Sequence, residues 1–288
     1  MKNAIEIKGL VKRYDDKFKL GEIDLKIPSG CIIGLIGENG AGKTTLIKSI
    51  LNIINIDSGN IKIFDKDNKR EEKIIKKDIG VVLDNMFFPE VLMAKDIDKV
   101  LKDIYEDWDK DLFYKYLDDF NIPKDKKIKD LSKGMRKKLE LACSFAHHPK
   151  LLILDEPTSG LDPVVRGEIL DIFLKFVSDD EHTILFSTHV TSDLENIADY
   201  IIFINDGNVL LNKTRDDIMD NYGILKCDID SFKKINKEDI ICYKKNKYDY
   251  QILICNKNKM KKKYKDFILD KITLDDLMVL MIKGDKVC

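Results

Sequence analysis

With 288 residues, 44% of them hydrophobic, the chain has room for one large domain, or for a domain of about 200 residues with a small appendage. Its 50 basic and 51 acidic residues leave a formal net charge of −1, which excludes a disordered composition and any overall field favouring nucleic acid, so no nucleic-acid partner is expected. The six cysteines show no Cys-x-x-Cys and no metal-ligand pairing with the four histidines, which fits free thiols in a reducing cytosol, and no run approaches the roughly 18 apolar residues of a membrane helix.

In chain order, residues 1–6 lack an apolar signal segment, so the membrane part of any membrane process is expected on another chain. Residues 3–36 read as short strands. Ile5, Ile7, Leu25 and Ile27 alternate with polar neighbours, whereas Cys31-Ile32-Ile33-Gly34-Leu35-Ile36 is a buried apolar strand. A helix is predicted over 43–51, then an edge strand over 60–64 after the turn Asp57-Ser58-Gly59. From about 84 to 150 the pattern becomes helical. Trp108, Leu112, Tyr116 and Leu117 make one stripe; Met135, Leu139, Ala142 and Ala146 make a second, capped at its start by Ser132.

Apolar strands return at 151–154, 183–187 and 200–204, with a helical stretch at 164–177. Strands alternating with helices predict an α/β fold with a mostly parallel, covered sheet. Beyond 212 the pattern weakens: strand-like runs at 224–229, 239–243 and 249–254 precede a lysine-rich helix near 256–265 and a stretch at 273–282. The lysines of 257–265 read as a solvated helix face, since Tyr264 is the one interleaved aromatic. His147, His148 and His182 carry no motif and are expected to be solvated.

Gly37-Glu38-Asn39-Gly40-Ala41-Gly42-Lys43-Thr44 follows a strand and opens a helix, the setting in which Gly-x-x-x-x-Gly-Lys-Thr holds a nucleotide phosphate. Its glycines let backbone N–H groups close around the β- and γ-phosphates, Lys43 supplies a point charge, and Thr44 can place its hydroxyl on Mg²⁺. Downstream, the strand Leu151-Leu152-Ile153-Leu154 ends in Asp155-Glu156. Adjacent acids at the end of a buried strand are costly unless a cation or water network needs them. Alone, a strand running into an acidic surface turn explains the pair equally well. With the phosphate loop upstream, Asp155 is assigned to the Mg²⁺ shell and Glu156 to polarising the attacking water.

Ser132-Lys133-Gly134-Met135 starts an amphipathic helix, and helix starts attract anions. By itself this is an ordinary N-cap. Placed shortly before the two carboxylates, Leu131-Ser132-Lys133-Gly134-Met135 resembles the Leu-Ser-Gly-Gly-Gln signature of ATP-binding-cassette (ABC) proteins, with Lys133 and Met135 departing from it. The Ser-Lys-Gly-Met form and the ending Ile272-Thr273-Leu274-Asp275-Asp276-Leu277-Met278 both resemble the export-type branch. The resemblance covers residues 3–212.

That resemblance implies a P-loop NTPase cassette over 1–212, with a RecA-like mixed sheet, a helical subdomain inserted at about 84–150 and a small C-terminal extension over 213–288. It implies ATP and Mg²⁺ as cofactors. Tyr14 matches the aromatic that stacks on adenine; Gly37, Asn39, Gly40, Gly42, Lys43, Thr44 and Thr45 match the nucleotide cradle. Ser159-Gly160-Leu161-Asp162 matches the loop that crosses the dimer interface, and His189 the switch histidine that touches the γ-phosphate. Catalysis is then expected from Glu156, His189 and Lys43, and metal binding from Thr44, Asp155 and Asp84. Asp84 stands where the family commonly has a glutamine; a carboxylate can still reach Mg²⁺ through oxygen, or lie idle in its loop. Met86-Phe87-Phe88-Pro89 is either buried or part of a groove receiving a cytoplasmic helix of the membrane subunit.

The resemblance further implies a head-to-tail homodimer, or a pair with a homologous ATPase subunit. Ser132 and Gly134 of one copy would serve ATP held by the other. A separate integral membrane permease would hold the pair at the cytoplasmic face of the membrane. The competing expectation is a soluble, non-transport ABC ATPase with a regulatory role. A single-site P-loop kinase or GTPase leaves 132–135 and 159–162 unexplained, and no guanine-reading Asn-Lys-x-Asp is present.

Overall fold

The apolar runs at 32–36, 151–155, 183–188 and 200–205 become neighbouring strands because their side chains need cover on both faces. The computed structural model describes residues 2–14, 18–83 and 88–286. Strands β1 (Asn3–Tyr14), β2 (Phe18–Pro28) and β3 (Ile32–Ile36) precede helix α1 (Lys43–Ile50), β4 (Ser58–Ile63), β5 (Lys66–Asp67), α2 (Glu72–Lys77) and β6 (Ile79–Val82). Helices α3 (Ala94–Leu101), α4 (Lys110–Asp119) and α5 (Lys133–Phe145) lie between β6 and β7 (Leu151–Asp155). Then come α6 (Pro163–Phe176), β8 (Thr183–Thr188), α7 (Thr191–Ile197), β9 (Tyr200–Asn205), β10 (Asn208–Thr214) and α8 (Arg215–Asn221). The rest is β11 (Gly223–Asp228), β12 (Cys242–Lys245), β13 (Asp249–Ile254), α9 (Lys257–Lys263), β14 (Ile268–Lys271) and α10 (Leu274–Lys283).

The central sheet runs β10-β9-β3-β8-β7-β6, parallel except where β10 pairs antiparallel with β9. Alternate residues divide between two cores. Ile33, Leu35, Ile153, Leu185 and Ile202 pack with α1 against the antiparallel sheet β2-β1-β4-β5. Ile32, Ile36, Leu154, Ile184, Phe186 and Phe203 turn the other way, onto the helical side. This is an α/β fold with a mixed sheet and inserted helices. A third sheet, β12-β13-β11-β14, buries Leu225, Ile252 and Ile254 on one face with Met260 and Tyr264. Leu253 on its other face joins Leu274, Leu277 and Leu280 of α10 in the main core.

As the end of its row, β6 presents backbone carbonyls that no strand among the described residues meets. Side chains of α5 and its last turn take them: Lys137 Nζ donates to Leu83 O, Ser144 Oγ to Val81 O, and His147 Nε2 to Ile79 O, each at 3.1 Å. Every second strand residue thus faces one stripe of the helix, the match of two periodicities that protects an edge.

Several expectations shift. His147 is not solvated: it is 4% exposed and stacks on Tyr105 with ring centroids 4.2 Å apart. Trp108 falls before α4 rather than in it, because Asp109 caps that helix and the Trp108 indole N–H is drawn to Asp98 Oδ1. The strand expected over 239–243 starts at Cys242, after a 3-10 turn at Lys237–Asp239. Asp239 is held there as an acceptor for Lys263 and the Tyr264 hydroxyl. Asp84, Met86 and Phe87 lie outside the described residues.

Candidate functional site

Three adjacent strands deliver the site at their carboxyl ends. Ile36 of β3 pairs with Thr188 of β8, and Ser187 of β8 with Asp155 of β7. The residues that follow each strand therefore emerge along one rim, where parallel α/β sheets bind ligands.

From β3 the chain turns through Gly40 and Gly42, at φ 84° and 112°, a backbone that only glycine adopts without strain. A Cβ on Gly37 would stand 2.3 Å from Ile204 O. The loop closes on Lys43, 5% exposed, whose ammonium donates to Gly37 O at 2.8 Å and Glu38 O at 3.3 Å. Thr44 Oγ1 donates to Asp155 Oδ2 at 2.8 Å, and Ser187 Oγ to Asp155 Oδ1 at 2.5 Å. Hydrogen bonding to both oxygens is what makes a buried carboxylate tolerable.

Glu156 takes a left-handed backbone, φ 51°, an uncommon state for a non-glycine residue that tends to mark functional sites. Its N–H is shared between Ser187 O and Ser187 Oγ, each at 3.1 Å, which holds the turn. Oε2 lies 2.8 Å from His189 Nδ1, and Oε1 3.5 Å from Lys43 Nζ. Oε1 is buried and has no hydrogen-bond partner among the described residues. An acceptor in that condition suits a water whose proton is to be withdrawn.

A cleft of about 520 Å³ is lined by Tyr14 and Phe18, by Glu38, Asn39, Gly40, Gly42, Lys43, Thr44 and Thr45, and by Asp155 and Glu156. It gathers most of the expected cradle. Tyr14, 41% exposed, has Lys12 Nζ 5.1 Å from its ring centroid. Phe18 and Ser187 belong to no recognised motif and were missed from sequence. The apolar run before Ser187-Thr188-His189 was the one available signal for the serine.

Ser132 and Gly134 do not line that cleft. Ser132 Oγ accepts from Met135 N–H and caps α5, while Gly134 lies so near α6 that a Cβ would stand 2.8 Å from Val165 Cγ1. Asp162 caps α6, accepting from the N–H groups of Val164 and Val165. Among the described residues no group of three or more His, Cys, Asp or Glu is arranged for a metal. The Thr44–Asp155 pair suits Mg²⁺ nonetheless, because this ion takes one or two protein oxygens and completes its shell with phosphates and water.

A glycine loop between a parallel strand and a helix, closed on a lysine and faced by an Asp-Glu strand end, defines a P-loop nucleoside triphosphatase. The family model described as ABC transporter matches residues 20–159. The ABC transporter ATP-binding protein YtrB of Bacillus subtilis (strain 168) is 31% identical over 90% of this chain and 89% of its own length. The bacitracin transport ATP-binding protein BcrA of Enterococcus faecalis is 32% identical, over 73% and 69%. A solved ATP-binding subunit of an ABC transporter superposes with a TM-score of 0.67 at 25% identity, covering 75% of this chain and 91% of that one. The chain belongs to the ATP-binding proteins of the ABC transporter family, and is an ATP-hydrolysing member of it.

Proposed function

We propose that this chain energises an exporter, coupling ATP hydrolysis to a separate integral membrane permease. One observation carries the catalytic part: Lys43 and Glu156 meet in a single cleft that Ser132 and Gly134 do not line, and His189 holds Glu156 from Oε2. A protomer then holds half a hydrolytic centre. Two copies pairing head to tail, or this chain with a homologous ATPase subunit, complete it.

Tyr14 stacks on the adenine, and the loop from Gly37 to Thr45, through Asn39, Gly40 and Gly42, surrounds the phosphates. Lys43 moves its charge from the loop carbonyls to the β- and γ-phosphates. Glu156 orients a water through Oε1 and draws its proton, while His189 fixes the carboxylate from Oε2 and faces the γ-phosphate. Held by Thr44 and Asp155, Mg²⁺ would neutralise phosphate charge as the bond breaks. Ser132 and Gly134, at the start of α5, present N–H groups to the partner's γ-phosphate. Closure on ATP and reopening after hydrolysis supply the stroke.

Support for a membrane partner comes from the relatives, one of which is named for bacitracin transport. No helix among the described residues is long and apolar enough to cross a membrane. In this proposal the permease is a separate chain, and this one works at its cytoplasmic face. The permease seat we favour is the apolar surface beside β6. There Val81, Leu83 and Tyr105 line two adjoining clefts, with Ile53 and Ile75 in one and Phe88 and Leu101 in the other. Residues 1–212 would form the ATPase unit, with 84–150 as its helical subdomain and 213–288 as an extension. Glu156→Gln tests the core of this reading. Turnover should fall about 100-fold or more, the scale of a lost general base, and an ATP-bound dimer should accumulate. Near-normal turnover sinks it.

A further inference from the structure

Behind the Glu156–His189 pair lies a carboxylate that the mechanism above leaves unused. Asp193, in the first turn of α7, is 2% exposed. It accepts from Thr158 Oγ1 at 2.7 Å, and Thr158 is itself fully buried two residues after Glu156. Arg166 Nη1 stands 4.0 Å from the other carboxylate oxygen. Asp193 N–H bonds Val190 O, which ties its turn to the residue after His189. The contacts form a closed circuit: Glu156 to Thr158 along the chain, Thr158 to Asp193 by hydrogen bond, Asp193 back to His189 through one helical turn, and His189 Nδ1 to Glu156 at 2.8 Å.

We propose that Asp193 is a positioning residue for hydrolysis, locking His189 over Glu156 and tying both to the 158–162 loop. The idea rests on the assignment of Glu156 and His189 made above. A ring of short contacts leaves few ways for either side chain to move alone, and errors of about 1 Å in a reacting constellation cost up to about 100-fold in rate. The same circuit gives the 158–162 loop a route to the catalytic pair: a displacement of Thr158 is handed to Asp193 and so to His189. Burial also pushes the Asp193 carboxyl above the usual carboxylate range, with Thr158 and Arg166 only partly offsetting it. A buried charge of that kind costs stability, so its presence is better explained by function than by fold.

Asp193→Leu and Thr158→Val each remove the hydrogen bond between these two side chains. Expected for each is a loss of turnover of about tenfold or more, an unchanged KM for MgATP, and a melting temperature close to that of the unaltered protein. The double variant should lose no more than the worse single one, since both cut the same circuit. Turnover within twofold of normal in either variant, or a loss that tracks a falling melting temperature, overturns the proposal. Glu156→Gln runs alongside: if it too hydrolyses normally, the site assignment has failed rather than the positioning role alone.

Discussion

Lys43 Nζ and Glu156 Oε1 stand 3.5 Å apart, on side chains only 6% and 14% exposed. The lysine is thus shared between its own loop, through Gly37 O and Glu38 O, and the carboxylate expected to act as base. Under the function proposed above, an entering triphosphate would compete for the same ammonium and free Oε1 for water, so that binding and activation of the base become one event.

A double-mutant cycle without nucleotide reads that pair. Removing one partner of a largely buried pair strands the other, whereas removing both is milder. Lys43→Met and Glu156→Gln should each destabilise, and the double variant should recover about 1 kcal/mol or more relative to their sum. Urea unfolding of the four proteins measures it. Strict additivity would show that the two groups do not interact.

Pairing across two chains makes its own prediction. Lys43→Ala and Ser132→Arg should each be inactive, yet mixing them should restore hydrolysis. In a head-to-tail mixed dimer one site carries both lesions and the other carries neither. Random exchange makes about half the dimers mixed, each with one good site of two, so about a quarter of normal activity should return. ATPase assays across mixing ratios test this, and no recovery at any ratio counts against shared sites.

Much of this was legible because the chemistry demands particular residues at fixed spacing. Gly37 to Thr44 sit where strand, turn and helix must meet, and Asp155-Glu156 closes an apolar run that can only be a strand. The β-rich segment after 212 was readable only loosely, since its core alternates with many lysines and Asp239 is fixed by contacts with Lys263 and Tyr264 far along the chain. The burial of His147 follows from β6 needing edge donors, which no local pattern in the sequence announces. Thr158, Ser187 and Asp193 escaped notice for a similar reason. Their roles lie in hydrogen bonds between segments about 30 residues apart.

Tyr14 offers a graded test. Its ring is half-exposed at the cleft, with Phe18 6.5 Å away between centroids. Loss of one aromatic stack is worth about 1 kcal/mol, so Tyr14→Ala should raise the KM for ATP about five- to tenfold with little change in kcat. Tyr14→Phe keeps the ring and should behave normally. Because stacking tolerates any base, GTP should suffer the same penalty as ATP. An unchanged KM in Tyr14→Ala would remove this residue from the nucleotide site.

His147 predicts how the fold answers acid. Burial pushes its imidazole below the usual histidine range, more than the hydrogen bond to Ile79 restores. The buried ring is therefore neutral near pH 7, donating from Nε2 to the edge carbonyl. In the unfolded chain the same group takes up a proton near pH 6.5, before the folded one does. Between those two values the unfolded state binds more protons, so stability is whole above about pH 6.5 and drains away as pH falls toward the depressed folded value. Below that value both states are protonated and the loss levels off. His147→Gln keeps a donor for Ile79 O but cannot titrate. Urea midpoints from pH 7.5 to 5.5 should fall more steeply for the unaltered protein than for this variant, the remaining groups being common to both. Parallel curves would mean that the β6 edge does not depend on a neutral ring.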